Sequence, residues 1–112
     1  MLKDLILRWI AALESGKYKK GCTFLRDNND NYCCLGVLCE LEGLECVQGS
    51  GPYYCYDGEA TVLPYVLRIK YGLDIFGGKF QMRNLVCVND CSDTFEPVIE
   101  HIKVLYKEVL AQ

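Results

Sequence analysis

The sequence lacks long apolar segments and an excess of positive charge. No apolar run approaches the roughly 18 residues of a membrane span, so we predict no membrane association. The formal net charge is −3. A protein that coats a nucleic-acid polymer needs clustered cations to displace counterions, so we predict that no nucleic-acid polymer is a partner. Apolar residues make up 51% of the 112 positions, which excludes a disordered tail. We expect one globular domain over residues 1–112.

Signals for export and for common hydrolase chemistry are also missing. Asp4 and Arg8 interrupt the apolar positions of the first segment, unlike the continuous apolar core of a secretory signal. The sequence contains no N-x-[ST] glycosylation site, no H-E-x-x-H and no G-x-S-x-G. We therefore expect a cytoplasmic protein with reduced thiols.

Cysteine, by contrast, is abundant, with eight residues in 112. Most can serve as small, buried apolar side chains that stay reduced. Cys34 with Cys39, and Cys87 with Cys91, approximate the paired spacing of a structural zinc site. The first pair falls in an apolar helical run, where packing explains it. We therefore predict no metal and no other cofactor.

A catalytic cysteine is a further interpretation. Cys33 or Cys34 falls at a predicted strand-to-helix transition, where a helix dipole would lower the pKa of a thiol. A nucleophilic thiol also needs a base. The single histidine, His101, falls beside the apolar stripe of the last predicted helix. We therefore assign no catalytic residue.

The spacing of apolar residues predicts a long helix at each end of the chain, over 2–15 and over 95–109. Shorter helices are predicted over 34–41 and 64–71. The fold class is α+β, with two long terminal amphipathic helices and short central helices around a small antiparallel β element. The core is expected where two stripes meet: Leu5, Trp9 and Leu13 against Ile99, Ile102 and Leu105.

Turn residues over 27–31 separate two predicted strands, at 23–26 and 32–33. The aromatic run from Tyr53 to Tyr56 favours a further strand and, being apolar, is expected to be covered in a homo-oligomer. Residues 84–89 suit a strand or a short helix equally well.

A local excess of cations follows the first helix, on a chain that is acidic as a whole. Such a cluster suits a small phosphorylated ligand, with phosphates held by Lys and Arg and a base stacked on Tyr. A solvated run of charges is the alternative. A polar pair between two apolar segments, at 89–90, is expected to face a cleft and to hydrogen-bond a ribose or base. The predicted ligand-binding residues are Lys17, Tyr18, Lys20, Arg26, Asn89 and Asp90.

Three segments together resemble a widespread family of small phage and prophage proteins. Residues 9–18 fit the pattern W-x2-AL-x-SG-x-Y, residues 32–39 read YCCLGVLC, and residues 88–90 read VND where that family has L-N-D. The resemblance implies expression in the cytoplasm of a host bacterium and favours a helix over 84–89. It implies no particular activity.

The resemblance sets the functional expectation, because small phage accessory proteins often act against host defence. We predict a counter-defence protein that sequesters a small nucleotide-like immune signal, without catalysis, in a pocket of a homo-oligomer. The alternative is a phage protein that inhibits a host protein by direct binding. A cysteine-dependent or nucleotide-degrading enzyme is the third possibility. These expectations rest on size and origin and not on a demonstrated site.

Overall fold

The computed structural model describes residues 2–74 and 85–112. The helices in these ranges are α1 (Leu2–Glu14), α2 (Cys34–Leu41), α3 (Tyr65–Tyr71), α4 (Leu85–Asp90), α5 (Glu96–Leu105) and α6 (Lys107–Leu110). The strands are β1 (Lys19–Lys20), β2 (Arg26–Asp27), β3 (Asn31–Tyr32), β4 (Cys46–Gln48) and β5 (Tyr53–Tyr56). The predicted α+β class is confirmed. None of the helices in the described ranges is long and apolar enough to cross a membrane.

The strands form one mixed sheet in the order β1-β3-β2-β5-β4. Strand β1 runs parallel to β3, with Lys20 opposite Tyr32, and the other neighbouring strands are antiparallel. The prediction of a purely antiparallel element is therefore wrong. The reason is that the β2–β3 hairpin turns back and inserts β3 between β1 and β2, so that β3 follows the direction of β1.

The turn between β2 and β3 forms as its sequence predicts. The Asp27 carboxylate accepts backbone N–H bonds from Asn29 and Asn31, at 2.9 and 3.0 Å, which is the turn chemistry expected of Asp. The first predicted strand is shorter than expected, because Thr23 has a φ of 74°. A β-branched residue rarely adopts that conformation, and pairing in the sheet begins only at Arg26.

The predicted C-terminal helix is interrupted. Tyr106, with φ −109° and ψ 24°, separates α5 from α6. Its buried hydroxyl donates a hydrogen bond to the carbonyl oxygen of Tyr71 at 2.7 Å, which fixes the side chain at the break. Val109 and Leu110 still pack against the core beyond this point. The apolar periodicity therefore continues through the interruption and cannot reveal it.

The core lies around the buried helix α2, which packs against α1 and α4, and α5 packs against the same two helices. Leu5 is only partly buried, and the other predicted core residues are buried: Trp9, Leu13, Ile99, Ile102 and Leu105. Helix α2 passes so close to the residue that precedes β2 that a Cβ atom on Gly36 would lie 1.8 Å from the carbonyl oxygen of Leu25. Helix α4 agrees with the helix that the resemblance favours, and residue 84 lies outside the described residues.

Candidate ligand-binding groove

An open groove of about 500 Å³ lies where the segment after α1 meets the sheet. Its lining consists of residues 16–19 together with Asp30, Tyr32 and Glu40. The rings of Tyr18 and Tyr32 meet edge to face, with centroids 5.1 Å apart and planes at 81°. The parallel pairing of β1 with β3 brings these two segments together. We call this cavity the Tyr18–Tyr32 groove.

The groove combines both signs of charge with aromatic surface. Lys17 and Lys19 are exposed, and the Lys17 ammonium lies 5.5 Å from the centre of the Tyr18 ring, within the range of a cation–π contact. Asp30 contributes a carboxylate from the β2–β3 turn and Glu40 another from α2. The groove can therefore pair with an anionic group and with a hydrogen-bond donor on one ligand.

Arg26 borders this groove and makes its contacts within the chain. It lies in a cross-strand row with Tyr32 and Tyr54, and its guanidinium carbon is 5.3 and 4.5 Å from the centres of their rings. Its Nε and Nη2 donate to Asp30 Oδ1 at 3.0 and 2.7 Å, and Nη1 lies 3.9 Å from Glu40 Oε2. Burial alone would lower the pKa of Arg26, but the hydrogen bonds to Asp30 and the contacts with Tyr56 and Tyr32 together outweigh it and raise the pKa. Two carboxylates, those of Asp30 and Glu40, thus already offset the charge of this predicted phosphate contact.

Glu40 is held in place by a buried phenol. The Tyr56 hydroxyl donates to Glu40 Oε2 at 2.6 Å. Burial raises the pKa of Tyr56, and the neighbouring carboxylate of Glu40 raises it further. Burial also raises the pKa of Tyr32. Both phenols therefore keep their protons at neutral pH, and the fixed negative charge of the groove comes from its carboxylates.

The family model of a domain of unknown function, DUF8296, matches residues 1–68. This match covers more than half of the chain. The chain belongs to the DUF8296 family. The matched residues include α1, the first three strands and α2, and with them every residue that lines the Tyr18–Tyr32 groove. No curated protein and no solved structure matches the chain.

Of the predicted ligand contacts, only Lys17 and Tyr18 line the Tyr18–Tyr32 groove of this DUF8296 protein. Lys20 lines a neighbouring groove between α1 and α5, and its ammonium donates to the carbonyl oxygen of Gly21 at 3.1 Å. Sequence reasoning did not select Lys19, Asp30, Tyr32 or Glu40. They come together through the parallel β1–β3 pairing and the position of α2, for which the sequence carries no local signal.

Asn89 and Asp90 lie beyond the residues matched by the DUF8296 model. The expectation that this pair faces a cleft is wrong for Asn89, which is fully buried. Its Oδ1 accepts the backbone N–H of Cys34 at 3.1 Å, and its Nδ2 donates to the carbonyl oxygen of Gly21 at 2.9 Å. Asp90 Oδ1 accepts the backbone N–H of Thr23 at 3.1 Å. The pair thus fastens the segment before β2 to the start of α2.

All eight cysteines lie within the described residues as thiols, and their burial is mixed. The prediction that most are buried is wrong, because only Cys33, Cys34 and Cys39 are. Burial raises the pKa of Cys33 to about 11 and also raises the pKa of Cys34. The start of α2 therefore does not activate either thiol. Among the described residues, no three His, Cys, Asp or Glu side chains are grouped closely enough to hold a metal ion.

Proposed function

We propose that this DUF8296 protein binds a small phosphorylated, nucleotide-like ligand in the Tyr18–Tyr32 groove and holds it without catalysis. The observation that carries the proposal is the meeting of two tyrosine rings at 5.1 Å in a cavity that Lys17 and Lys19 also line. A planar base can stack on an aromatic face while ammonium groups pair with phosphate oxygens.

The carboxylates of the groove determine the orientation in which the ligand is expected to bind. Asp30 and Glu40 would repel a phosphate, so the phosphate is expected beside Lys17 and Lys19 and the base beside the acids. A base with an exocyclic amine can donate hydrogen bonds to a carboxylate. Arg26 then acts by holding Asp30, to which it donates two hydrogen bonds, and not by contacting the phosphate.

The resemblance to small phage proteins supports a biological role for such binding. We propose that the protein withdraws a nucleotide immune signal in the cytoplasm of the host bacterium. A protein that sequesters a ligand needs a complementary groove and needs neither a nucleophile nor a metal.

Calorimetry against cyclic dinucleotides, cyclic trinucleotides and ADP-ribose derivatives tests the proposal. We expect one of these classes to bind, and Tyr18→Ala or the double variant Lys17→Glu/Lys19→Glu to weaken binding tenfold or more, since stacking of a base is worth about 1–3 kcal/mol. Lys103→Glu is the matched control, because this exposed lysine of α5 does not line the groove. Absence of binding across the panel contradicts the proposal, and breakdown of the bound compound would indicate an enzyme.

A second candidate function rests on a different surface. Tyr65, Val66 and Ile69 of α3 are exposed apolar side chains on one short helix. Contiguous apolar surface commonly marks a site of protein–protein contact. This observation favours direct binding of another protein, either in place of ligand sequestration or in addition to it.

A further inference from the structure

The exposed face of α3 is an apolar ridge with a cation on each side. Tyr65, Val66 and Ile69 retain 64%, 50% and 66% of their accessible surface. At about 100° per residue, these three side chains project from one side of the helix, with Arg68 along one edge and Lys70 along the other. We call these five residues the α3 ridge.

The ridge carries two cations on a chain whose net charge is −3, and a carboxylate of the same chain offsets the charge of Lys70, so the basic character of the ridge comes from Arg68. The Lys70 ammonium pairs with Glu42 Oε1 at 2.7 Å. Arg68 donates from Nε to the carbonyl oxygen of Leu63 at 3.0 Å, and its guanidinium carbon lies 5.3 Å from the centre of the Tyr65 ring. Neither of these two Arg68 partners carries a negative charge. An acidic surface with an apolar centre would therefore complement the ridge.

The same chain carries such a surface between the end of α1 and the start of α5. This groove encloses about 500 Å³, and we call it the α1–α5 groove. The floor of the groove is apolar and consists of the outer edges of three core residues, Leu13, Phe95 and Ile99, which are 5–7% exposed. Its acidic lining comes from Glu14, Asp93, Glu96 and Glu100. The four acidic residues are exposed, whereas a single cation, Lys20, lines this groove among the described residues.

We propose that the α3 ridge of one copy docks into the α1–α5 groove of a second copy. Charge complementarity selects a second copy as the occupant, because the basic apolar ridge and the acidic groove with apolar lining are present on one chain. The contact forms a closed dimer if it is made reciprocally, and a ring if it is repeated around an axis.

Such docking would place the subunit interface beside the proposed ligand site. Gly16 and Tyr18 line both the α1–α5 groove and the Tyr18–Tyr32 groove. A ridge seated in the first groove would therefore bring the neighbouring subunit next to the second. The proposal does not depend on ligand binding, since assembly can be measured in the free protein.

Light scattering coupled to size exclusion, at micromolar protein concentration, tests the docking. We expect the wild type to be oligomeric, and both the ridge variant Ile69→Asp and the groove variant Glu96→Lys/Glu100→Lys to be monomeric. An equimolar mixture of the two variants should recover a heterodimer, because one retains an intact groove and the other an intact ridge. Val104→Asp is the matched control, since it adds the same charge at another exposed apolar position, on α5.

Circular dichroism melts establish that each variant is folded, and Arg68→Glu replaces Ile69→Asp if that variant is not. A monomeric wild type, or an oligomer that survives the ridge variant, would overturn the proposal. A groove variant that stays oligomeric would also overturn it, because that would indicate pairing of α3 with α3. A mixture that stays monomeric would overturn it as well, because the intact groove of one variant would then fail to bind the intact ridge of the other. Each of these readings is independent of any nucleotide, so failure of the proposed ligand function leaves them unchanged.

Discussion

The side chain of Asn89 caps the helix that begins at Cys34, 55 positions earlier in the chain. Cys33 precedes this helix and provides no side-chain cap, so the first N–H groups of α2 need a partner from elsewhere. Asn89 Oδ1 accepts the N–H of Cys34 at 3.1 Å, and Trp9 Nε1 donates to the carbonyl oxygen of Cys34 at 3.0 Å. Three segments distant in sequence thus meet at one residue of the core.

Removal of the Asn89 side chain is expected to destabilise the fold. Asn89→Ala would leave the N–H of Cys34 without its partner and would remove one of the two donors to the carbonyl oxygen of Gly21. An unsatisfied buried polar group costs about 1–3 kcal/mol. Asp90→Asn is the control, because its side chain is exposed and an amide oxygen can still accept the N–H of Thr23. Urea unfolding measures both. A loss below about 0.5 kcal/mol for Asn89→Ala, the level of a surface change, would contradict the capping role.

Gly36 is expected to tolerate no side chain. A Cβ atom there would lie 1.8 Å from the carbonyl oxygen of Leu25, so Gly36→Ala must separate α2 from β2, and we expect loss of the cooperative unfolding transition. Gly43→Ala is the matched control. It has open space around it and a φ of 72°, so it should cost only the roughly 1–2 kcal/mol of left-handed backbone strain. Equal melting temperatures for the two variants would disprove the close approach.

The helices could largely be predicted from sequence, and so could strand β5 over Tyr53–Tyr56, whereas the strand order, the parallel β1–β3 pairing and the groove could not. Helix α2 runs over the predicted residues Cys34–Leu41, because its apolar run and the glycine that follows are local signals. Strands β1, β2 and β3 are only two residues long, so alternation has no length over which to appear. Asn89 was misjudged because a polar pair usually marks a surface, and its burial depends on partners that only the tertiary structure supplies.

The most exposed and the most buried thiols are expected to differ in reactivity. Cys22 and Cys91 are exposed, whereas Cys33, Cys34 and Cys39 are buried, and burial raises the pKa of Cys33 to about 11. A disulfide reagent at pH 7 should therefore modify the two exposed thiols rapidly and the buried three only on unfolding, because the thiolate is the reactive form. Mass spectrometry of peptides identifies the sites. Rapid labelling of Cys33 or Cys34 in the folded protein would revive a catalytic interpretation.

Acid is expected to weaken the fold through Glu42, whose side chain is only 8% exposed. Burial alone would raise the pKa of Glu42, but hydrogen bonds from Lys70 and Tyr71, with Arg8 nearby, outweigh it and hold the pKa below the ordinary 4.5. The stabilisation is therefore fully present above that ordinary pKa and is lost as the pH falls through the lower pKa of the folded state.

Glu42→Gln should be less stable than the wild type at pH 7, and its melting temperature should fall less between pH 5 and pH 3. Glu100→Gln is the control, because Glu100 is exposed and lies 3.5 Å from Lys103, an arrangement that contributes little to stability. Melts over this pH range measure the difference. If Glu42→Gln and the wild type lose stability in parallel, Glu42 is not the group that couples folding to acid, and the contacts of its carboxylate with Arg8, Lys70 and Tyr71 do not stabilise the charged form.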